Sequence, residues 1–149
     1  MPLTWTLKPF ADLTTTELYA LLQLRSEVFV VEQTCPFQDI DGLDQTAWHL
    51  LGHAPNDELA AYARLFGPGV AFPEASIGRV VSSPRYRRTG LGRELLHESI
   101  AGVGQLFGPQ PIQIGAQLYL QEFYESFGFR QVGAGYLEDD IPHIHMVRA

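Results

Sequence analysis

The chain has 149 residues, 10 Lys and Arg against 17 Asp and Glu, a formal net charge of -7 and a hydrophobic fraction of 46%, which fits one globular domain, read as residues 1–149, with a sizeable core. The acidic balance excludes nonspecific nucleic-acid binding, which needs a broad basic face, and no apolar run approaches the roughly 18 residues of a membrane span. A single cysteine, Cys35, excludes an internal disulfide, and with no secretory h-region at the N-terminus it sets the expectation of a cytoplasmic protein.

The alternating stretch TWTLKPF reads as a first strand. A helix is predicted next. Thr14 stands at its N-cap with Glu17 three residues on, a capping box, and Leu13 and Leu18 stand at the positions of a hydrophobic staple. Leu18, Leu21, Leu22, Val28 and Phe29 share one face of this helix, and Arg25 falls on the same face. Its side chain is expected to snorkel or to pair with an acid such as Glu32; the sharper reading has it line a cleft. TCPFQDIDGLDQ is a loop. A calcium loop starting at Asp39 would need Gly and Glu where Asp44 and Leu50 stand, so that reading is rejected. AWHLLGH and ELAAYARLF form a hairpin through APND. SIGRVVS is a central strand, and a helix runs from Thr89 to about Phe107 with its apolar residues filling half the circumference. PIQIGAQ is a further strand, LYLQEFYESFGF a short helix stopped by Gly128, and RQVGAGYLE and IPHIHMVR are the last two strands. This order describes one mixed α/β sheet.

Five of the arginines, Arg79, Arg85, Arg87, Arg88 and Arg93, crowd into one strand-turn-helix segment of an acidic chain. In RYRRTGLG a strand ends, a glycine turn follows and a helix begins. Helix N-termini offer unpaired N–H groups, Gly90 and Gly92 let a ligand approach the backbone, and Arg87, Arg88 and Arg93 add charged donors. The segment therefore reads as an anion cradle. A dinucleotide fingerprint would need a third glycine where Leu95 stands, and a phosphate loop of the Walker type would need a lysine.

About 30 residues further on comes QLYLQEFYESFGF. RRTGLG followed by FYESFGF, in this order and spacing, resembles the GNAT acyltransferases, which transfer an acetyl group from acetyl-CoA to an amine. YALLQLRSEVFVVEQTCPFQDIDG, VSSPRYRRTGLG and IPHIHM are similar, more narrowly, to the ElaA-type branch of that superfamily, and the resemblance extends over nearly the whole chain. It implies a single GNAT-like domain with a mixed, mostly antiparallel sheet flanked by helices. It implies that the amides of Arg88, Thr89, Gly90, Leu91 and Gly92 hold the CoA pyrophosphate, helped by Arg87 and Arg93. It implies a bulge at Arg79, Val80 and Val81 whose backbone pairs with pantetheine and faces the thioester. Tyr124 matches the family's usual general acid; a phenol is protonated at neutral pH and can donate to a departing thiolate. Where many GNAT proteins carry Asn and Ala seven and four residues before this Tyr, this chain has Gln117 and Leu120, and the Gln117 amide is expected to reach the CoA arm instead.

The acceptor side is less determined. Glu138 and His143 are the candidates for the base that deprotonates the incoming amine, with Asp139 and Asp140 beside them. His143 and His145, like His49 and His53, lack a third ligand nearby, so no metal is expected and they are read as neutral histidines. Cys35 as a covalent acyl carrier is a minor alternative, since direct transfer needs no such step. The acidic loops at 39–44 and 138–140 are expected to draw in a cationic amine, on a small molecule or a protein. The leading reading is thus an acetyl-CoA-dependent N-acetyltransferase acting by direct attack in a ternary complex. Its competitors are a non-catalytic acyl-CoA-binding sensor on the same fold and an acyl-homoserine-lactone synthase-like enzyme. The sequence leaves open whether the chain forms a homodimer through its edge strands.

Overall fold

The computed structural model describes residues 2–87 and 90–149. Its strands are β1 (Thr4–Pro9), β2 (Trp48–His53), β3 (Leu59–Phe66), β4 (Ala75–Ser82), β5 (Ile112–Gln117), β6 (Phe129–Glu138) and β7 (Ile141–Arg148), and its helices are α1 (Thr15–Arg25), α2 (Leu91–Phe107) and α3 (Gln121–Glu125). The strands form one sheet in the order β1-β2-β3-β4-β5-β7-β6. Every neighbouring pair is antiparallel except β4 and β5, which run parallel.

The predicted capping box forms at the start of α1. The Glu17 N–H donates to Thr14 Oγ1 at 3.0 Å, and the Thr14 N–H donates to Glu17 Oε1 at 2.9 Å. The APND turn closes β2 onto β3, with the Ala54 N–H on the Glu58 carbonyl at 2.9 Å. β3 is buried along its whole length, which requires cover on both faces of the sheet. Leu51, Tyr62 and Val81 pack against Leu21 and Leu24 of α1. Leu50, Ala61 and Ala63 meet Leu95, Leu96 and Val103 of α2 on the other face. Each leucine so buried contributes about 1.5–3 kcal/mol, enough to fix which face of each helix turns inward.

Two segments depart from their predicted form. The first helix does not continue as α past Arg25: Ser26–Glu32 winds as π turns, a wider winding often found at functional sites. There Val28 stays in the core while Phe29 and Glu32 face the cleft described below. The predicted start of the second long helix, Thr89, lies outside the described residues; α2 is described from Leu91, capped by Gly90 at φ 75, a left-handed conformation that glycine adopts without steric cost. The helix predicted over 118–129 divides into a 3-10 turn at Leu118–Leu120 and the short α3, and Gly128 ends it with φ 94. Among the described residues no helix is long and apolar enough to cross a membrane.

Candidate active site

The parallel ladder between β4 and β5 stops almost as soon as it starts. Only Ala75–Ile112 and Ser76–Gln113 pair, and beyond them the strands part. Pairing with β3 on the other side puts Tyr62 opposite Val81 and Arg64 opposite Gly78, so Arg79 and Val80 together oppose Ala63. This is the bulge expected from the sequence. Arg79 sits at φ 48, a left-handed backbone that costs a non-glycine residue on the order of 1–3 kcal/mol. Bulge and splay together turn backbone N–H and C=O groups of β4 away from any strand partner. They open a cleft of about 560 Å³ walled by Arg79, Val80 and Val81 on one side and Gly115, Ala116 and Gln117 on the other.

Tyr124 lines the same cleft. Its ring is 7% exposed and is held edge-on between Phe123 and Phe129. Burial, with Tyr119 nearby, pushes its pKa up to about 12, so the phenol keeps its proton through the neutral range. Among the described residues its hydroxyl has no hydrogen-bond partner, which leaves it able to donate to a ligand.

His143 on β7 and Glu138 at the end of β6 also face the cleft. His143 Nδ1 lies 2.7 Å from the Ile141 carbonyl. A carbonyl only accepts, so Nδ1 carries the proton and the neutral ring keeps its lone pair on Nε2. Nε2 is 3.6 Å from Glu138 Oε2. His49, by contrast, is consumed by structure. It lies 2.6 Å from the Tyr62 hydroxyl and 2.9 Å from the Asp44 carbonyl, and burial holds its pKa below the usual histidine value. Cys35 lines the cleft, but burial, followed by the charges of Asp139 and Asp140, pushes its thiol pKa up, which disfavours the thiolate a covalent route would need. Among the described residues no group of three or more His, Cys, Asp or Glu side chains could hold a metal ion.

The predicted anion turn is reached in part. Arg87 lines the cleft mouth, where its guanidinium forks onto Glu32 at 2.6 and 2.8 Å. Gly90, Leu91 and Gly92 form the adjoining entrance to α2. Arg93 turns to the far side of that entrance, donating to Ser126 Oγ at 3.1 Å and lying 4.6 Å over the Phe127 ring. Arg88 and Thr89 lie outside the described residues. Gln117 reaches across the cleft to Gln33, 3.4 Å between side-chain atoms.

Arg25 pairs with acids as expected, though with Asp39 and Asp44. It neither snorkels nor pairs with Glu32, which is engaged by Arg87; it is fully buried in a closed ring of three arginines and three aspartates. Arg25 donates to Asp39 Oδ2 at 2.9 Å and to Asp44 Oδ1 at 2.7 Å. Arg64 donates to the same Asp44 oxygen at 2.9 Å and grips Asp41 at 2.9 and 2.8 Å. Arg79 closes the ring on Asp39 Oδ1 at 2.8 Å and on Asp41 Oδ2 at 3.4 Å. The acidic loop at 39–44, expected as an open mouth for cations, therefore spends Asp39, Asp41 and Asp44 on this ring. Sequence spacing gives no sign of it, because the arginines come from three separate elements; the one available signal was a charged residue on the apolar face of α1.

The chain matches the family model described as Acetyltransferase (GNAT) domain over residues 18–149. It is 46% identical over 140 residues to Protein ElaA of Escherichia coli, covering 93% of this chain and 91% of that protein. It is 42% identical over 147 residues to a UPF0039 protein of Synechocystis, covering 99% and 96%. An acyl-CoA N-acyltransferase of Pseudomonas aeruginosa superposes with a TM-score of 0.93 at 49% identity, over 99% of both chains. The crystal structure of Escherichia coli ElaA superposes with a TM-score of 0.91 at 44% identity, again over 99% of both. Matching model, relatives and sheet agree: the chain belongs to the GNAT acetyltransferase family, among the homologues of ElaA.

Proposed function

We propose that the protein is an N-acetyltransferase that moves the acetyl group of acetyl-CoA to a primary amine by direct attack within a ternary complex. One observation carries the reading: the gap between β4 and β5 at the Arg79–Val80 bulge opens onto the hydroxyl of Tyr124, which has no hydrogen-bond partner among the described residues. The residues present fit the co-substrate. Backbone groups of Arg79, Val80 and Val81 left without a β5 partner suit the amides of a pantetheine arm, and the Gln117 side chain lies along the same cleft. Arg87, with Gly90, Gly92 and the first turn of α2, suits the pyrophosphate.

Bound acetyl-CoA supplies the acetyl thioester and, as leaving group, a thiolate. The chain handles the protons. Glu138 and Asp139 at the cleft attract the amine in its cationic form. His143 Nε2, with its lone pair fixed by the Nδ1–H bond to Ile141, takes a proton from that ammonium group and frees the attacking pair. The Tyr124 hydroxyl gives a proton to the departing sulfur, and the second proton, which the nitrogen sheds as the amide forms, restores the phenol. An acyl-CoA sensor without turnover would have no use for a phenol left without a partner among the described residues at this point, so Tyr124 favours catalysis over binding alone. The direct test is acetylation of a panel of primary amines followed by thiol release, with Tyr124→Phe as the control that keeps binding and slows turnover. Supply of acetyl-CoA as a soluble co-substrate is consistent with action in the cytoplasm.

A further inference from the structure

We propose that the ring of Arg25, Arg64, Arg79, Asp39, Asp41 and Asp44 is a positioning device, which holds the bulge of β4 and the acceptor wall of the cleft in register with each other. The inference rests on the acetyl-CoA reading above.

Three observations support it. First, Arg79 holds a left-handed backbone at φ 48 beside Gly78, which would take that conformation without strain. A strained non-glycine residue persists only where its surroundings over-determine it. Here the side chain does so, through Nε on Asp39 Oδ1 at 2.8 Å, Nη2 on the Asp39 carbonyl at 3.1 Å and Nη2 on Asp41 at 3.4 Å. Its guanidinium also lies 5.7 Å over the ring of Phe37.

Second, the partners of Arg79 belong to a loop that has no regular structure from Cys35 to Asp41, yet Asp39 and Asp44 are 6% and 5% exposed. Arg25 from α1 and Arg64 from β3 pin the same loop from behind. Three positive and three negative charges close on themselves, so the loop carries no unpaired buried charge from the ring.

Third, the fastened loop is itself a wall of the site. Cys35 and Phe37 line the cleft together with Arg79. One side chain therefore joins the backbone that would meet the thioester to the surface that would meet the amine. Arg79, Asp39 and Asp41 act through that backbone and that wall, as positioning residues.

The experiment uses the full chain with Arg79→Gly, which relieves the backbone and deletes the guanidinium, and Arg79→Lys, which keeps a cation. Amide hydrogen exchange over residues 35–44 reads the ring itself. Calorimetric affinities for CoA and for acetyl-CoA read the bulge, since both ligands carry the pantetheine amides that its backbone suits. In Arg79→Gly we expect exchange over 35–44 to accelerate at least tenfold while α2 is unchanged. Affinities for CoA and for acetyl-CoA should both fall at least tenfold, because both ligands carry the pantetheine arm, with partial recovery in Arg79→Lys. Unchanged exchange over 35–44, or wild-type affinity for both ligands, would overturn the proposal. Wild-type protein that bound neither ligand would instead overturn the acetyl-CoA reading, and the exchange result would still show whether the ring holds the loop.

Discussion

His143 Nδ1 lies 2.7 Å from the carbonyl oxygen of Ile141, two residues earlier on the same strand. That bond decides which nitrogen is basic, because it commits the ring proton to Nδ1 and turns the Nε2 lone pair toward Glu138 at 3.6 Å. If Nε2 deprotonates the amine, His143→Ala should lower kcat/KM for an amine acceptor by about 10²-fold or more. Acetyl-CoA affinity should stay within about twofold, because deprotonating the amine is separate from binding the CoA arm. Steady-state kinetics with calorimetry on the same preparations reads both.

Tyr124→Phe removes one oxygen and nothing else. With no described partner for that hydroxyl, the melting temperature should hardly move, and kcat should fall by about 10²-fold or more through loss of the general acid. Acetyl-CoA affinity should again stay within about twofold. A melting curve, a titration and a thiol-release assay separate the three quantities.

Asp139 and Asp140 occupy the turn between β6 and β7 with φ 51 and 64, conformations that asparagine tolerates as well as aspartate. The double change to Asn should therefore keep the turn and remove only charge. KM for a cationic amine should rise by about threefold to tenfold, and the difference should shrink at high salt. An unchanged KM would remove these residues from acceptor attraction.

The ring has its own pH signature. Burial pushes the Asp41 carboxyl up, but the Arg64 bonds, the Leu43 N–H and the charges of Arg64 and Arg79 outweigh it and hold the pKa at about 2. Asp44 is likewise lowered, burial being outweighed by Arg25 and Arg64. A depressed native pKa means stability that is fully present above the unfolded value near ~3.9 and is lost as pH falls through the native one. Denaturation melts should thus weaken between about pH 4 and pH 2, and Asp41→Asn should flatten part of that slope. Arg25→Met leaves Asp39 and Asp44 buried against too little positive charge and should destabilise by about 3–5 kcal/mol at neutral pH.

Elements written in local chemistry were legible before any coordinates. The Thr14–Glu17 box, the APND turn and the left-handed Gly128 after the short helix each depend on residues within a few positions of one another, and each appears where the sequence puts it. The bulge at Arg79 was legible through family resemblance, since nothing in GRVV by itself marks the extra residue. What the sequence withheld is what distant segments decide together. The π turns after Arg25 answer to packing, and so does the partner of Arg25: Asp39 and Asp44 come from a loop with no periodicity to read. Arg93 shows the reverse error of proximity, a charge beside the glycine turn that the aromatic pair Phe123 and Phe127 draws to the other side. On the acceptor side, Glu138 and His143 were named as neighbours in sequence, and the β6–β7 hairpin brings them together; Phe29, Glu32, Gln33 and Phe37 entered the cleft without any motif to announce them.

Whether the opening between β4 and β5 binds the acetyl-CoA arm is tested most directly by parallel calorimetric titrations with acetyl-CoA, CoA and NADH. Acetyl-CoA and CoA should bind saturably and NADH should not bind, because the glycine turn lacks the dinucleotide pattern. Absence of binding by both acetyl-CoA and CoA would contradict acetyl-CoA binding there, and the arginines before α2 would then be an ordinary solvated helix entrance.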